Sequence, residues 1–229
     1  NIITPLDLEE LAPRLRAAFD DSIRSIAIVL MHGYRVPAHE LAIAELARKI
    51  GFTQISTSHG ISPMIKFVGR GDTTVADAYL SPILRRYIDR LARDIDQSKG
   101  AKLQLMQSNG GLTDASLFQG KDAILSGPAG GIVGAVKTAK QAGFEKVITF
   151  DMGGTSTDVA HYENAYERVF DTVVAGVRIN APMLLIHTVA AGGGSICRFD
   201  QGRFQVGPES AGANPGPACY RRGGPLAVT

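Results

Sequence analysis

Leu8, Leu11, Leu15 and Phe19 recur at helical spacing, and Thr4-Pro5 stands where a cap and a first-turn proline belong. The pattern predicts a helix ending near Asp20, with Pro13 placed to kink it. Residues 26–30 form a short apolar run and read as a buried strand. Residues 38–50 carry Leu41, Ala44, Leu46, Ala47 and Ile50 and stop at Gly51, the pattern of a helix with a glycine end. Residues 53–57 read as the next strand. Strand, helix and strand in that order predict a parallel pair with a right-handed crossover.

In residues 72–94, Val75, Tyr79, Ile83, Tyr87 and Leu91 fall every fourth position, beside a second stripe of Ala76, Leu80, Leu84 and Ile88. So broad an apolar face predicts burial between layers. Ser81-Pro82 has the form of a cap and first-turn pair, which predicts two helices with a bend. Residues 102–107 read as a strand, 108–111 as a turn, 127–141 as a helix and 147–150 as a buried strand. Beyond Tyr162 the pattern turns β-rich, with short strands at 165–170, 173–179 and 184–189. Residues 207–225 hold five glycines and four prolines and read as one irregular loop. A loop that long inside a compact fold is usually functional or mobile. The chain is α/β, with neither an internal repeat nor a low-complexity segment.

Composition narrows the function without choosing it. A chain of 229 residues, 45% hydrophobic and 20% charged, is long enough for one large domain or two small ones. A net charge of +2 gives no electrostatic case for nucleic acid, and Arg221-Arg222 is only a pair. Cys197 and Cys219 do not make a disulfide framework. No apolar stretch approaches the roughly 20 residues that span a bilayer, and the opening residues are not a signal peptide. The expectation is a cytoplasmic protein with no membrane contact. Many of the 26 glycines lie after residue 109.

The densest chemistry is in residues 151–158, Asp-Met-Gly-Gly-Thr-Ser-Thr-Asp, directly after the 147–150 strand. Gly153 and Gly154 let backbone N–H groups close on an anion. Thr155, Ser156 and Thr157 can add hydroxyl donors, and Asp151 and Asp158 can hold Mg²⁺ through water. A plain β-hairpin with a Gly-Gly turn is the competing reading, since residues 159–162 also look like strand; the bracketing aspartates and the hydroxyls favour a phosphate site. Ser126-Gly-Pro-Ala-Gly-Gly131 opens a helix, so Gly130 and Gly131 either present N–H groups to an anion or pack the helix closely on a sheet. Gly192-Gly193-Gly194-Ser195 reads as a flexible turn or as a second-rank site. His32 and His39-Glu40 lack a second histidine at helical spacing, so a zinc site is not expected; His59, His161 and His187 are isolated. Cys219 beside Arg221 and Arg222 is a weak nucleophile candidate. No Gly-x-Ser-x-Gly elbow and no Walker-type loop occurs.

The octet resembles the phosphate loops of the actin-like ATPases, which grip nucleotide phosphates with one strand–turn–strand hairpin from each of two lobes. The 126–131 segment, the octet, residues 188–195 and residues 206–220 follow in an order similar to that of the hydantoinase A and 5-oxoprolinase family. The resemblance covers nearly the whole chain and extends upstream through residues 29–34, Pro63-Met64 and residues 76–82. The upstream block and residues 207–225 look most like the ATP-dependent 5-oxoprolinases. N-methylhydantoinases and the acetone- or acetophenone-carboxylase subunits are the near alternatives.

The resemblance implies an actin-like, ribonuclease H-like fold that uses ATP and Mg²⁺, with Asp151, Gly153, Gly154, Thr155, Thr157, Asp158, Gly192, Gly193, Gly194, Ser195, Gly130 and Gly131 near the nucleotide and Asp151 and Asp158 near the metal. Family members open with a first phosphate loop of the same type, yet here the only such octet starts at Asp151, position 1 is Asn, and the chain stops in a strand-like run. The expectation is an internal fragment, inactive by itself. Residues 1–70 would belong to the back of the first lobe, and 71–229 to the front of the second with a β-rich extension. Its partners would be the rest of its own chain, a hydantoinase B type domain or subunit, and a small lactam or hydantoin. A nucleotide-gated binding module without small-molecule chemistry is the alternative from another class.

Overall fold

The computed structural model describes residues 4–95 and 100–229. In chain order its first half contains α1 (Leu8–Asp20), β1 (Ser25–Ile28), α2 (Ala38–Ile50), β2 (Gln54–Thr57), α3 (Ser58–Ile61), α4 (Phe67–Asp94), β3 (Gln104–Met106), β4 (Leu112–Asp114) and α5 (Gly120–Ala123). There follow α6 (Ser126–Gln141), β5 (Lys146–Met152), β6 (Thr157–Glu163), β7 (Ala165–Tyr166), β8 (Arg168–Val169), β9 (Thr172–Val174) and β10 (Val177–Ile179). The last strands are β11 (Met183–Leu184), β12 (His187–Val189), β13 (Ser195–Asp200) and β14 (Arg203–Ser210). The chain divides into two compact units, Asn1–Ser126 with Val169–Met183, and Gly127–Arg168 with Leu184–Thr229.

In the first unit β1 and β2 pair in parallel, Ser25 opposite Gln54, with α2 between them in sequence. Leu15, Ile28, Ile43, Ala44, Ala47 and Phe52 form the core beneath. The α1 cap is Asp7, whose carboxylate accepts the N–H groups of Glu9 and Glu10 at 2.9 Å, and not the Thr4-Pro5 pair. A carboxylate one position before the helix reaches these orphan donors.

The two helices expected around Ser81-Pro82 are one: α4 runs unbroken from Phe67 to Asp94 with Pro82 inside it. Proline cannot donate to the carbonyl four residues earlier. The hydroxyl of Ser25 donates to that carbonyl, Ala78 O, and supplies the missing partner. Ser81 is buried rather than capping; its hydroxyl bonds Asp77 and accepts the Gly120 N–H. The buried face of α4 also differs from the expectation. Val75, Tyr79, Ile83 and Tyr87 stay exposed, whereas Thr73, Thr74, Asp77 and Ser81 are buried. These polar groups are satisfied: Thr73 and Thr74 donate to the carbonyls four residues back, and Asp77 accepts from Ser56 and from the Lys121 N–H. A buried polar face is tolerated once its hydrogen bonds are made.

In the second unit the strand order is β12-β6-β5, all neighbours antiparallel. Ala129, Ile132 and Val136 of α6 pack with Ala160, Tyr162 and Leu184 to make its core. Two expectations near the C-terminus change. β13 and β14 form a hairpin, and β14 runs to Ser210, so the irregular stretch begins at Ala211 rather than Gly207. The pairing of 203–206 with 197–200 supplies backbone partners that the glycine and proline content hid.

Candidate functional site

The octet folds as the end of the β5–β6 hairpin. Met152 faces Thr157 across the ladder, and the Gly153 N–H donates to Ser156 O at 2.9 Å to close the turn. Asp151 and Asp158 are direct cross-strand partners, so both carboxylates leave the same face. Among the described residues, the N–H groups of Gly154, Thr155 and Ser156 find no acceptor, nor do the Thr155 and Ser156 hydroxyls. Three successive free N–H groups and two hydroxyls between two carboxylates are what a phosphate and its cation need.

The turn is held from one side by residues 191–195. The Gly193 and Gly194 N–H groups donate to Gly153 O and Gly154 O at 2.9 and 2.7 Å. A Cβ on Gly192 would lie 2.7 Å from both Gly153 O and Ser156 N, so only glycine allows this approach. Ser195 accepts the Gly192 N–H at 2.9 Å and closes the loop on itself. The Gly192–Ser195 motif therefore builds the floor under the 153–156 turn.

Thr157 is buried, and its hydroxyl donates to Ala191 O at 2.6 Å. Thr155 is exposed at the tip. Gly131 lies against Asp151: a Cβ there would be 3.2 Å from Asp151 Oδ2. Asp151, Asp158, Gly131, Pro128 and Thr149 line a cavity of about 200 Å³ that does not reach Gly130. A second cavity, about 350 Å³, is lined by Met152, Gly153, Gly154, Gly193, Gly194 and Tyr220 among others. Side chains alternate along β5, so Met152 leaves the face opposite to Asp151; the tip of the hairpin stands between the two cavities.

Thr188 escaped sequence reasoning. Its hydroxyl donates to Asp158 Oδ1 at 2.6 Å, which orients that carboxylate. Its place at the head of residues 188–195 was visible, but only the pairing of Thr188 with Asp158 in β12 and β6 puts it there. Tyr220 was likewise hidden in the 207–225 stretch. Two carboxylates fit Mg²⁺, which binds through one or two carboxylates plus phosphate oxygens and keeps several waters. No group of three or more His, Cys, Asp or Glu suited to a metal occurs among the described residues. Cys197 and Cys219 are exposed free thiols.

In the first unit Glu40 and Arg70 are both fully buried. Glu40 accepts from the Leu30 N–H, the Ser58 hydroxyl, the His59 N–H and His59 Nδ1. Burial pushes this carboxyl up, but those hydrogen bonds together outweigh it and hold it below the ordinary glutamate value. Arg70 donates to Ser58 Oγ and to the carbonyls of Met64, Leu30 and Met31. The pair ties residues 29–36 to 58–66, so Glu40 and His59 are structural and not metal ligands. Sequence reasoning had set them apart as unconnected.

The hydantoinase/oxoprolinase family model matches residues 70–229, and that of the family's N-terminal region matches residues 1–51. The chain is 48% identical to 5-oxoprolinase 1 of Arabidopsis thaliana over all of its length, and 48% identical over 94% of its length to 5-oxoprolinase of Saccharomyces cerevisiae. It spans 18% and 17% of those relatives, so it corresponds to a fragment of them. Its fold is that of the ATP-dependent caprolactamase from Pseudomonas jessenii, with a TM-score of 0.82 and 35% identity, covering 100% of this chain and 34% of that one. Nucleotide-free acetone carboxylase matches with a TM-score of 0.76 and 25% identity, covering 96% of this chain and 32% of that one. The chain belongs to the hydantoinase/oxoprolinase family.

Proposed function

We propose that the protein is an ATP-dependent cyclic amide hydrolase that opens 5-oxo-L-proline to glutamate, and that the turn at residues 151–158 holds the nucleotide's phosphates. The observation that carries this reading is the row of free N–H groups at Gly154, Thr155 and Ser156, set between two opposed carboxylates. The likeness to ATP-dependent caprolactamase and to 5-oxoprolinases supports the choice of substrate class.

A five-membered lactam is unstrained, and its amide resonance makes the nitrogen a poor leaving group. The lactam oxygen attacks the γ-phosphorus; the bond to the β-phosphate oxygen breaks and ADP leaves. Water then adds to the activated carbon, and the C–N bond breaks as the nitrogen takes a proton. A second water converts the resulting acyl phosphate to carboxylate and phosphate. Phosphoryl transfer of this kind depends mainly on positioning and charge neutralisation. Gly154, Thr155 and Ser156 donate to the phosphates, and the 192–194 floor keeps their geometry. Asp151 and Asp158, the latter oriented by Thr188, hold Mg²⁺, whose charge neutralises the phosphates when bound. Gly131 admits the Asp151 carboxylate against the start of α6.

This chain supplies one phosphate turn. The other half of the site, and the hydrolytic step, belong to the rest of the chain and to a hydantoinase B type half, so the 229 residues alone are inactive. We assign residues 1–70 to the first actin-like lobe and 71–229 to the second, in line with family models that end at 51 and begin at 70; the compact units divide the chain differently, at Ser126 and around Val169–Met183. No described helix is long and apolar enough to cross a membrane. We place the enzyme in the cytoplasm.

The test is Asp151→Ala and Asp158→Ala in the full-length protein. Each is expected to abolish ATP turnover while the thermal melt stays within a few degrees of the parent. Normal turnover in both variants overturns the phosphate assignment.

A further inference from the structure

We propose that the cavity on the far side of the phosphate turn, between Gly153-Gly154 and Tyr220, receives the ring of the cyclic amide that is phosphorylated. This rests on the phosphate reading given above and adds the acceptor's position to it.

The lining is glycine backbone at 153, 154, 193, 194 and 212, with Met152, Pro217, Tyr220 and Thr229. None of these side chains carries a charge, and Met152, Pro217 and Tyr220 offer apolar surface to a ring. Its volume, about 350 Å³, is at the lower end for small-molecule sites, which run from roughly 300 to 1,000 Å³. A small ring fits it.

Tyr220 is set there by the fold of the 211–225 stretch. The Ala211 N–H donates to Gly194 O at 2.7 Å, tying the stretch to the floor of the phosphate turn. The Tyr220 ring lies so close to Gly216 that a Cβ on Gly216 would come within 2.4 Å of Tyr220 Cδ2. The Tyr220 N–H donates to Pro217 O and the Ala218 N–H to Pro225 O, which close the loop around the ring. The result is an aromatic wall, about half exposed, facing a backbone floor. Planar amide groups pack well between such surfaces.

Position decides between the acceptor and the nucleotide base. Ribose and the phosphate chain separate a base from the γ-phosphoryl group. The cavity borders Gly153 and Gly154 directly, so a ring in it lies next to the transferred phosphoryl group, where an attacking lactam oxygen must be.

The experiment uses the full-length protein with its B-type half. ATP-dependent turnover is measured with 5-oxo-L-proline, hydantoin and ε-caprolactam, and kinetics are then taken on whichever is turned over fastest. Tyr220→Ala is expected to raise KM for the amide roughly tenfold, the loss of one good aromatic contact, with KM for ATP within twofold of the parent. Tyr220→Phe keeps the ring and is expected to keep the amide KM. Tyr220→Leu serves if the alanine variant does not fold, with the same rise expected. A rise in KM for ATP, or an unchanged amide KM in both the alanine and leucine variants, overturns the proposal while the phosphate assignment stands. Turnover with none of the three amides overturns the functional reading and this inference with it.

Discussion

Glu40 is the residue on which the first unit's loops most depend. Its carboxylate accepts four hydrogen bonds inside the protein, and Ser58 passes the connection on to Arg70. Glu40→Gln keeps the shape but replaces one acceptor oxygen with a donor that faces the existing donors. The expected cost is on the order of 3 kcal/mol, read from chemical denaturation of the full-length protein at pH 7. The folded-state carboxyl is depressed, so its contribution is fully present above the unfolded value of about 4.3 and is lost as pH falls through the lower folded value. The parent should therefore lose stability in acid more steeply than Glu40→Gln. Identical acid limbs in the two proteins contradict this role. Asp151 and Asp158 differ from Glu40 in kind: Asp151 is exposed and Asp158 half-buried, the latter accepting from Thr188.

At the scale of elements, the hairpin β5–β6 and the floor loop behave as one piece. Gly192→Ala places a methyl group against backbone atoms of Gly153, Gly154 and Ser156, none of which can rotate away. The expected result is a destabilisation of about 1–3 kcal/mol and a loss of ATP turnover larger than the change in stability explains, checked by a melt and a phosphate-release assay on the same sample. Full turnover would mean that the floor does not set the geometry of the turn. The strand and its turn were legible in the sequence, because an apolar run, a glycine pair and bracketing aspartates are all local signals, but β5 is not the buried strand expected, since Ile148 and Phe150 are exposed. The continuity of α4 was not legible: it depends on a hydroxyl 53 positions away from the carbonyl that Pro82 leaves free. Its buried face misled for a related reason, since Thr73, Asp77 and Ser81 count as polar in any periodicity and are buried only because partners from other elements satisfy them. Thr188 and Tyr220 were missed in the same way; strand pairing and a folded loop bring each to the site.

At the scale of the whole molecule, the chain is about a fifth of the 5-oxoprolinases it resembles and a third of the caprolactamase chain. It carries the Gly-Gly turn of the β5–β6 hairpin, a cavity lined by Asp151 and Asp158 on one side of it and a cavity lined by Gly153, Gly154 and Tyr220 on the other. The most direct measurement is phosphate release from Mg-ATP by the full-length protein with its B-type half, with and without 5-oxo-L-proline. The account predicts stimulation by the lactam, with one glutamate formed per phosphate. Turnover that ignores the lactam and every other cyclic amide, or no turnover at all, contradicts it.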